Sequence, residues 1–154
     1  MSVFYFAYGS NMNPRRMASR GMRYRSSQAA ALSGWQLVFN KRAEGKQGIA
    51  YANLVSRPAG VAQGVLYELV SADEIARMDP YEGYPSRYLR EQLSVEIEGA
   101  RAPLSVMAWV YLATPGWQEE GLLPERAYLN HLLSGRPWLS RDYFSALSET
   151  PCLP

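Results

Sequence analysis

The chain has 154 residues, 47% of them apolar, and its 16 basic and 14 acidic residues leave a net charge of +2. That length makes one domain with a proper core, and the composition is that of an ordinary globular protein. The charge is too small to argue for a nucleic-acid or membrane partner, and a single cysteine, Cys152, excludes an intrachain disulfide.

Further absences narrow the chemistry. No apolar run approaches the length of a membrane span. Residues 1 to 8 show neither a basic leader nor a cleavage site. One cysteine fits a reducing compartment, so the expected location is cytoplasmic. His131 is the only histidine, which argues against a zinc site of the usual kind. A Ser-His-Asp arrangement could pass only through that residue. There is no Gly-x-Gly-x-x-Gly, and Gly45-Lys46-Gln47 lacks the spacing and the Ser/Thr of a phosphate-binding loop. Carboxylates, hydroxyls and backbone amides are left to do the work.

In chain order, Val3 to Tyr8 is an almost unbroken apolar run that stops at Gly9-Ser10-Asn11. Such a run reads as a strand buried on both faces. Gly9 allows a sharp turn through its backbone freedom. Asn13 is a good helix N-cap and Pro14 suits the first helical position. A strand, a turn and a helix start aim several backbone N–H groups at one place, a ready seat for a carboxylate or an oxyanion. A short helix over 14 to 20 follows. Arg15, Arg16, Arg20, Arg23 and Arg25 make either a solvated face or a basic rim that attracts an acidic substrate.

Alternation of Trp35, Leu37 and Phe39 predicts a strand. Glu44 to Gln47 predicts a hairpin turn and Ile49 to Leu54 the returning strand. Arg57-Pro58-Ala59-Gly60 reads as another turn. Val61 to Val70 is a further strand, with Gly64 marking a bulge or a close backbone approach. Ser71 and Glu74 have the spacing of a capping box, and Pro80 should stop the helix they open. Leu93, Val95 and Ile97, then Leu104 to Leu112, predict two more strands. A helix opens at Pro124 and ends near Gly135, and Ser140 caps a last one through Leu147. The expected architecture is α+β: one domain over 1–148, a small mixed β-barrel of about six strands flanked by short helices, with a loose tail over 149–154.

Glu82 stands in a loop between Asp79-Pro80 and Gly83-Tyr84-Pro85. Tyr81 and Tyr84 could shield it from water, and it follows a helix C-terminus, whose dipole disfavours negative charge. Both effects raise a carboxylate's pKa and make it a better base.

Tyr8-Gly9-Ser10-Asn11, followed some seventy residues later by Asp79-x-x-Glu82-Gly83 and Tyr88, resembles the γ-glutamylcyclotransferase family, the AIG2-like fold. Phe39-Asn40-Lys41-Arg42 and Gly64 to Leu69 are similar to its bacterial members, and Tyr128, Gly135, Leu139 and Tyr143 to its final helices. The resemblance covers most of the chain. It implies a β-barrel with no cofactor and no metal. It implies that Glu82 is the acid/base, and that Tyr8, Gly9, Ser10, Asn11 and Tyr88 hold the substrate. It further implies a small γ-glutamyl substrate and a monomer or homodimer. The implied reaction is attack of the substrate's own α-amine on its γ-carbonyl, releasing 5-oxoproline and an amine or amino acid. The alternatives are a specialised γ-glutamyl metabolite as substrate, or a non-catalytic anion- or partner-binding domain of the same fold.

Overall fold

The computed structural model describes residues 2–154, and its frame is a closed barrel of five strands in the order β1-β3-β2-β4-β5. These are β1 (Val3–Ala7), β2 (Tyr24–Arg42), β3 (Ala50–Leu69), β4 (Tyr88–Ile97) and β5 (Ser105–Ala113). Four helices decorate it: α1 (Pro14–Ser19), α2 (Asp73–Glu82), α3 (Arg126–Leu133) and α4 (Arg141–Ser148). No helix among the described residues is long and apolar enough to cross a membrane.

β1 is central because both of its edges are taken. It pairs antiparallel with β3 from Val3↔Leu69 to Ala7↔Val65. On the other side it meets β5 in parallel at Tyr5↔Trp109, which closes the barrel. Tyr5, Phe6 and Ala7 are buried, as the apolar run requires. β3 comes so close that a Cβ on Gly64 would lie 2.2 Å from the Ala7 carbonyl oxygen. Only glycine lets these two backbones approach, so Gly64 marks a close contact rather than a weak spot.

The strands number five where turn signals gave about six, because Arg57-Pro58-Ala59-Gly60 does not separate two strands. The register passes from Trp35↔Ser56 to Ser33↔Val61, so those four residues stand opposite Gly34 alone. They form an exposed irregularity within one long β3, a site where a proline lacking its N–H is tolerated. β2 is also longer than its alternating segment suggests, since it starts at Tyr24.

Asn13 caps α1 as expected, its side chain accepting from the Arg15 N–H at 3.0 Å. Ser140 does the same for α4 through the Tyr143 N–H. The Ser71–Glu74 capping box does not form. Ala72 takes the cap position, and Glu74, fully buried, instead accepts from the Arg23 N–H and pairs with Arg77. Pro80 does not stop α2, which runs on to Glu82. The tail is tied rather than loose: the Leu153 N–H donates to the Pro124 carbonyl and the Arg126 N–H to the Leu153 carbonyl, both at 2.8 Å.

Candidate active site

β1 hands the chain to a single 3-10 turn, Ser10–Met12, closed by Met12 N–H to the Gly9 carbonyl at 3.0 Å. Gly9 has φ −116° and ψ −136°. Its requirement is space, not a left-handed backbone: a Cβ would lie 3.2 Å from the Ala52 Cβ and 3.5 Å from the Tyr128 hydroxyl. The first N–H groups of a turn have no partner within it. Those of Ser10 and Asn11 meet no protein acceptor among the described residues. Buried Tyr67 fixes the loop from below, its hydroxyl donating to the Asn11 carbonyl at 2.7 Å.

Glu82 reaches this loop from the last residue of α2, with Gly83 at φ 70° capping the helix behind it. The turn that carries it is anchored one step earlier. Asp79 accepts two hydrogen bonds from Arg90, at 2.9 and 3.1 Å, and one from the Tyr111 hydroxyl at 2.7 Å. The Asn11 amide donates to Glu82 Oε1 at 3.2 Å and to the Tyr5 hydroxyl at 2.9 Å. Arg20 donates to Asn11 Oδ1 at 3.1 Å and stands 3.7 Å from Glu82. The Glu82 side chain is only 17% exposed.

Burial pushes the Glu82 carboxyl above its ordinary pKa, and Arg20, Arg16, Lys41 and the Asn11 hydrogen bond only partly oppose it. The shielding does not come from Tyr81 and Tyr84, which are 54% and 38% exposed. It comes from a ring of tyrosines. Glu82 lines a narrow cavity of about 30 Å³ together with Tyr5, Tyr8, Gly9, Ser10, Asn11, Ala52, Tyr88, Tyr111 and Tyr128. Every sequence-derived site residue is therefore on this wall. A larger cleft, about 740 Å³, lies between the β2–β3 hairpin and α4. Its wall holds no buried carboxylate, so the chemistry points to the smaller cavity.

The five tyrosines differ in what their hydroxyls have left to offer. Tyr8 donates to the Tyr111 carbonyl at 2.5 Å, Tyr88 to the Ala52 carbonyl at 2.7 Å, and Tyr111 to Asp79. Their protons are spent. Tyr5 accepts from Asn11, and Tyr128 accepts from the Ala52 N–H at 3.0 Å. Each of these two keeps a hydroxyl proton for something in the cavity. Burial raises the pKa of all five, so they remain protonated. Sequence reasoning named Tyr8 and Tyr88 and missed Tyr5, Tyr111 and Tyr128. The chain's 11 tyrosines were a signal, but which of them converge depends on the barrel's closure.

The arginine-rich segment divides. Arg16 and Arg20 face the site, whereas Arg15 and Arg25 are exposed and Arg23 pairs with Glu74. His131 contacts Asn13 at 3.0 Å and Arg16 at 3.5 Å, and pairs with no carboxylate among the described residues. It serves to hold α1 against α3. Trp109 and Tyr84 pack on Arg90, and Arg87 pairs with Glu44. Neither Trp109, Tyr84 nor Arg87 lines the cavity.

No curated protein matches the sequence. Among solved structures, one titled "Gamma-glutamyl cyclotransferase" superposes with a TM-score of 0.82 at 21% identity, covering 99% of this chain and 89% of that one. An uncharacterized protein from Homo sapiens gives 0.81 at 22%, covering 98% and 89%. A yeast γ-glutamyl cyclotransferase specific to glutathione gives 0.69 at 14%, covering 96% and 94%. At these identities the likeness is one of fold. The family model "Gamma-glutamyl cyclotransferase, AIG2-like" matches residues 5–135. That span takes in Tyr5 to Ala7 of β1, the Gly9–Asn11 loop and Glu82, and the chain belongs to this family.

Proposed function

We propose that this chain is a cyclotransferase that cleaves γ-glutamyl amides by intramolecular attack, releasing 5-oxoproline and an amine or amino acid. The observation that carries the reading is Glu82: a carboxylate with raised pKa, largely shut off from water, facing the Gly9–Asn11 loop across a tyrosine-walled cavity.

The nucleophile belongs to the substrate. A free α-amine has a pKa of about 8 and is mostly protonated at neutral pH. Glu82 takes that proton. The freed nitrogen attacks the γ-carbonyl and a five-membered ring closes. The carbonyl oxygen becomes an oxyanion, which the Ser10 and Asn11 N–H groups and the hydroxyls of Tyr5 and Tyr128 receive. Glu82 then delivers its proton to the departing nitrogen, the amide C–N bond breaks, the ring nitrogen gives its remaining surplus proton to the freed carboxylate, and no water is consumed. Such acid/base catalysis is worth about a hundred- to ten-thousandfold, and one oxyanion donor about a hundredfold or more. Holding the glutamyl chain folded supplies several further kcal/mol.

A set of γ-glutamyl amino acids and amines, with product identified by mass, tests the reading. 5-Oxoproline from at least one of them is expected. Hydrolysis to free glutamate instead would replace intramolecular attack with attack by water.

A further inference from the structure

Lys41 is 4% exposed, and its ammonium has no carboxylate within ion-pair distance among the described residues. Among the described residues no hydrogen bond reaches it, and its tip keeps some contact with solvent. It sits instead on three rings, 4.9 Å from Trp117, 5.2 Å from Tyr51 and 5.5 Å from Tyr88. Ring faces attract a cation, but they leave its three N–H donors without an oxygen acceptor. A charge taken out of water without a partner is costly.

The neighbouring cations are already occupied. Arg42 and Arg87 share the Trp117 ring with Lys41, at 4.0 and 5.4 Å. Arg42 donates twice to the Gly116 carbonyl, and Arg87 pairs with Glu44. Burial first, and then Arg87, lower the Lys41 pKa to about 8, while Glu82 and Glu44 act the other way. The group thus stays largely charged at neutral pH.

Its position is beside the active cavity. Tyr88 is a wall of that cavity, and Tyr51 packs at 4.9 Å on Tyr128, another wall. The glutamyl half of the substrate has its own partners: Glu82 for the amine, with Asn11 and Arg20 around it. The leaving group must extend away from them.

We infer that Lys41 binds a carboxylate on the leaving group, so that the chain selects γ-glutamyl compounds whose released amine is an amino acid. The inference rests on the cyclotransferase reading above and deepens it. Tyr51, Tyr88 and Trp117 hold the ammonium in place without neutralising it. The incoming carboxylate then supplies the acceptor that the protein withholds.

The test compares kcat/KM for γ-glutamylalanine and γ-glutamylethylamine, which differ only in that carboxylate. The wild type should prefer the alanine compound by about ten- to a hundredfold, mainly through KM. Lys41→Met should bring the ratio to within about threefold of unity, and Lys41→Arg should restore most of it. A ratio does not depend on how much of a variant is folded. An unchanged ratio in Lys41→Met, or a wild type indifferent to the carboxylate, overturns the inference and leaves the cyclotransferase reading intact. Absence of 5-oxoproline from both compounds overturns that reading, and the inference with it.

Discussion

Hydroxyl protons separate the tyrosines that the proposed mechanism uses from those that support them. Tyr8 and Tyr88 spend theirs on backbone carbonyls, whereas Tyr5 and Tyr128 keep theirs for the cavity. Tyr5→Phe or Tyr128→Phe should therefore lower kcat/KM by about tenfold or more. Tyr8→Phe and Tyr88→Phe should cost mainly stability, about 1 to 2 kcal/mol each. Rates and thermal melts on the four variants check the division, and equal rate losses would refute it. The sequence showed Glu82 and the Gly9–Asn11 loop, since each is local and has distinctive neighbours. It could not show this wiring, because each bond joins residues far apart in the chain.

Among the elements, the last turn of α2 matters most. Pro80 marks a stop when only local sterics are considered. Asp79 overrides it by docking on Arg90 and Tyr111, with both ion-pair side chains mostly buried. The helix thus continues one more turn and sets Glu82 on a fixed terminus instead of a loop. Asp79→Ala should cost about 3 to 5 kcal/mol, the usual result of breaking a buried pair. It should also lower kcat, because Glu82 loses its footing. Urea unfolding and rate assays would measure both. Gly64→Ala tests the close approach of β3 to β1. Its methyl group would run into the Ala7 carbonyl, so a loss of about 3 kcal/mol or more is expected. Gly64 was legible as a close approach because a glycine within a strand has few other reasons to be there. The Arg57 to Gly60 segment was not, because a bulge and a turn use the same residues.

For the molecule as a whole, two buried charges set stability against function. Glu82 keeps its proton above the ordinary 4.5 when folded. The folded state then binds more protons than the unfolded one, and stability falls as pH rises through that window. Lys41 gives up its proton at about 8 when folded, against 10.5 unfolded. There the unfolded state binds more protons, so stability recovers between those values. Lys41→Met should raise the melting temperature at pH 7 and flatten the alkaline recovery. A lower melting temperature would contradict the unpartnered charge. The barrel itself was readable as a class from its alternating strands. Its order was not, since β1 meets β5 at one register pair supplied by the two halves of the chain.

The central claim is that Glu82 moves the proton for ring closure. Glu82→Gln retains an acceptor for Asn11 and removes the buried charge, so it should melt at or above the wild-type temperature at pH 7. The decisive measurement is 5-oxoproline release from γ-glutamylalanine by that folded variant beside the wild type. The account expects a loss of at least about a hundredfold. Release within a few-fold of wild type would show that the proton moves by another route, and would remove Glu82 from the chemistry.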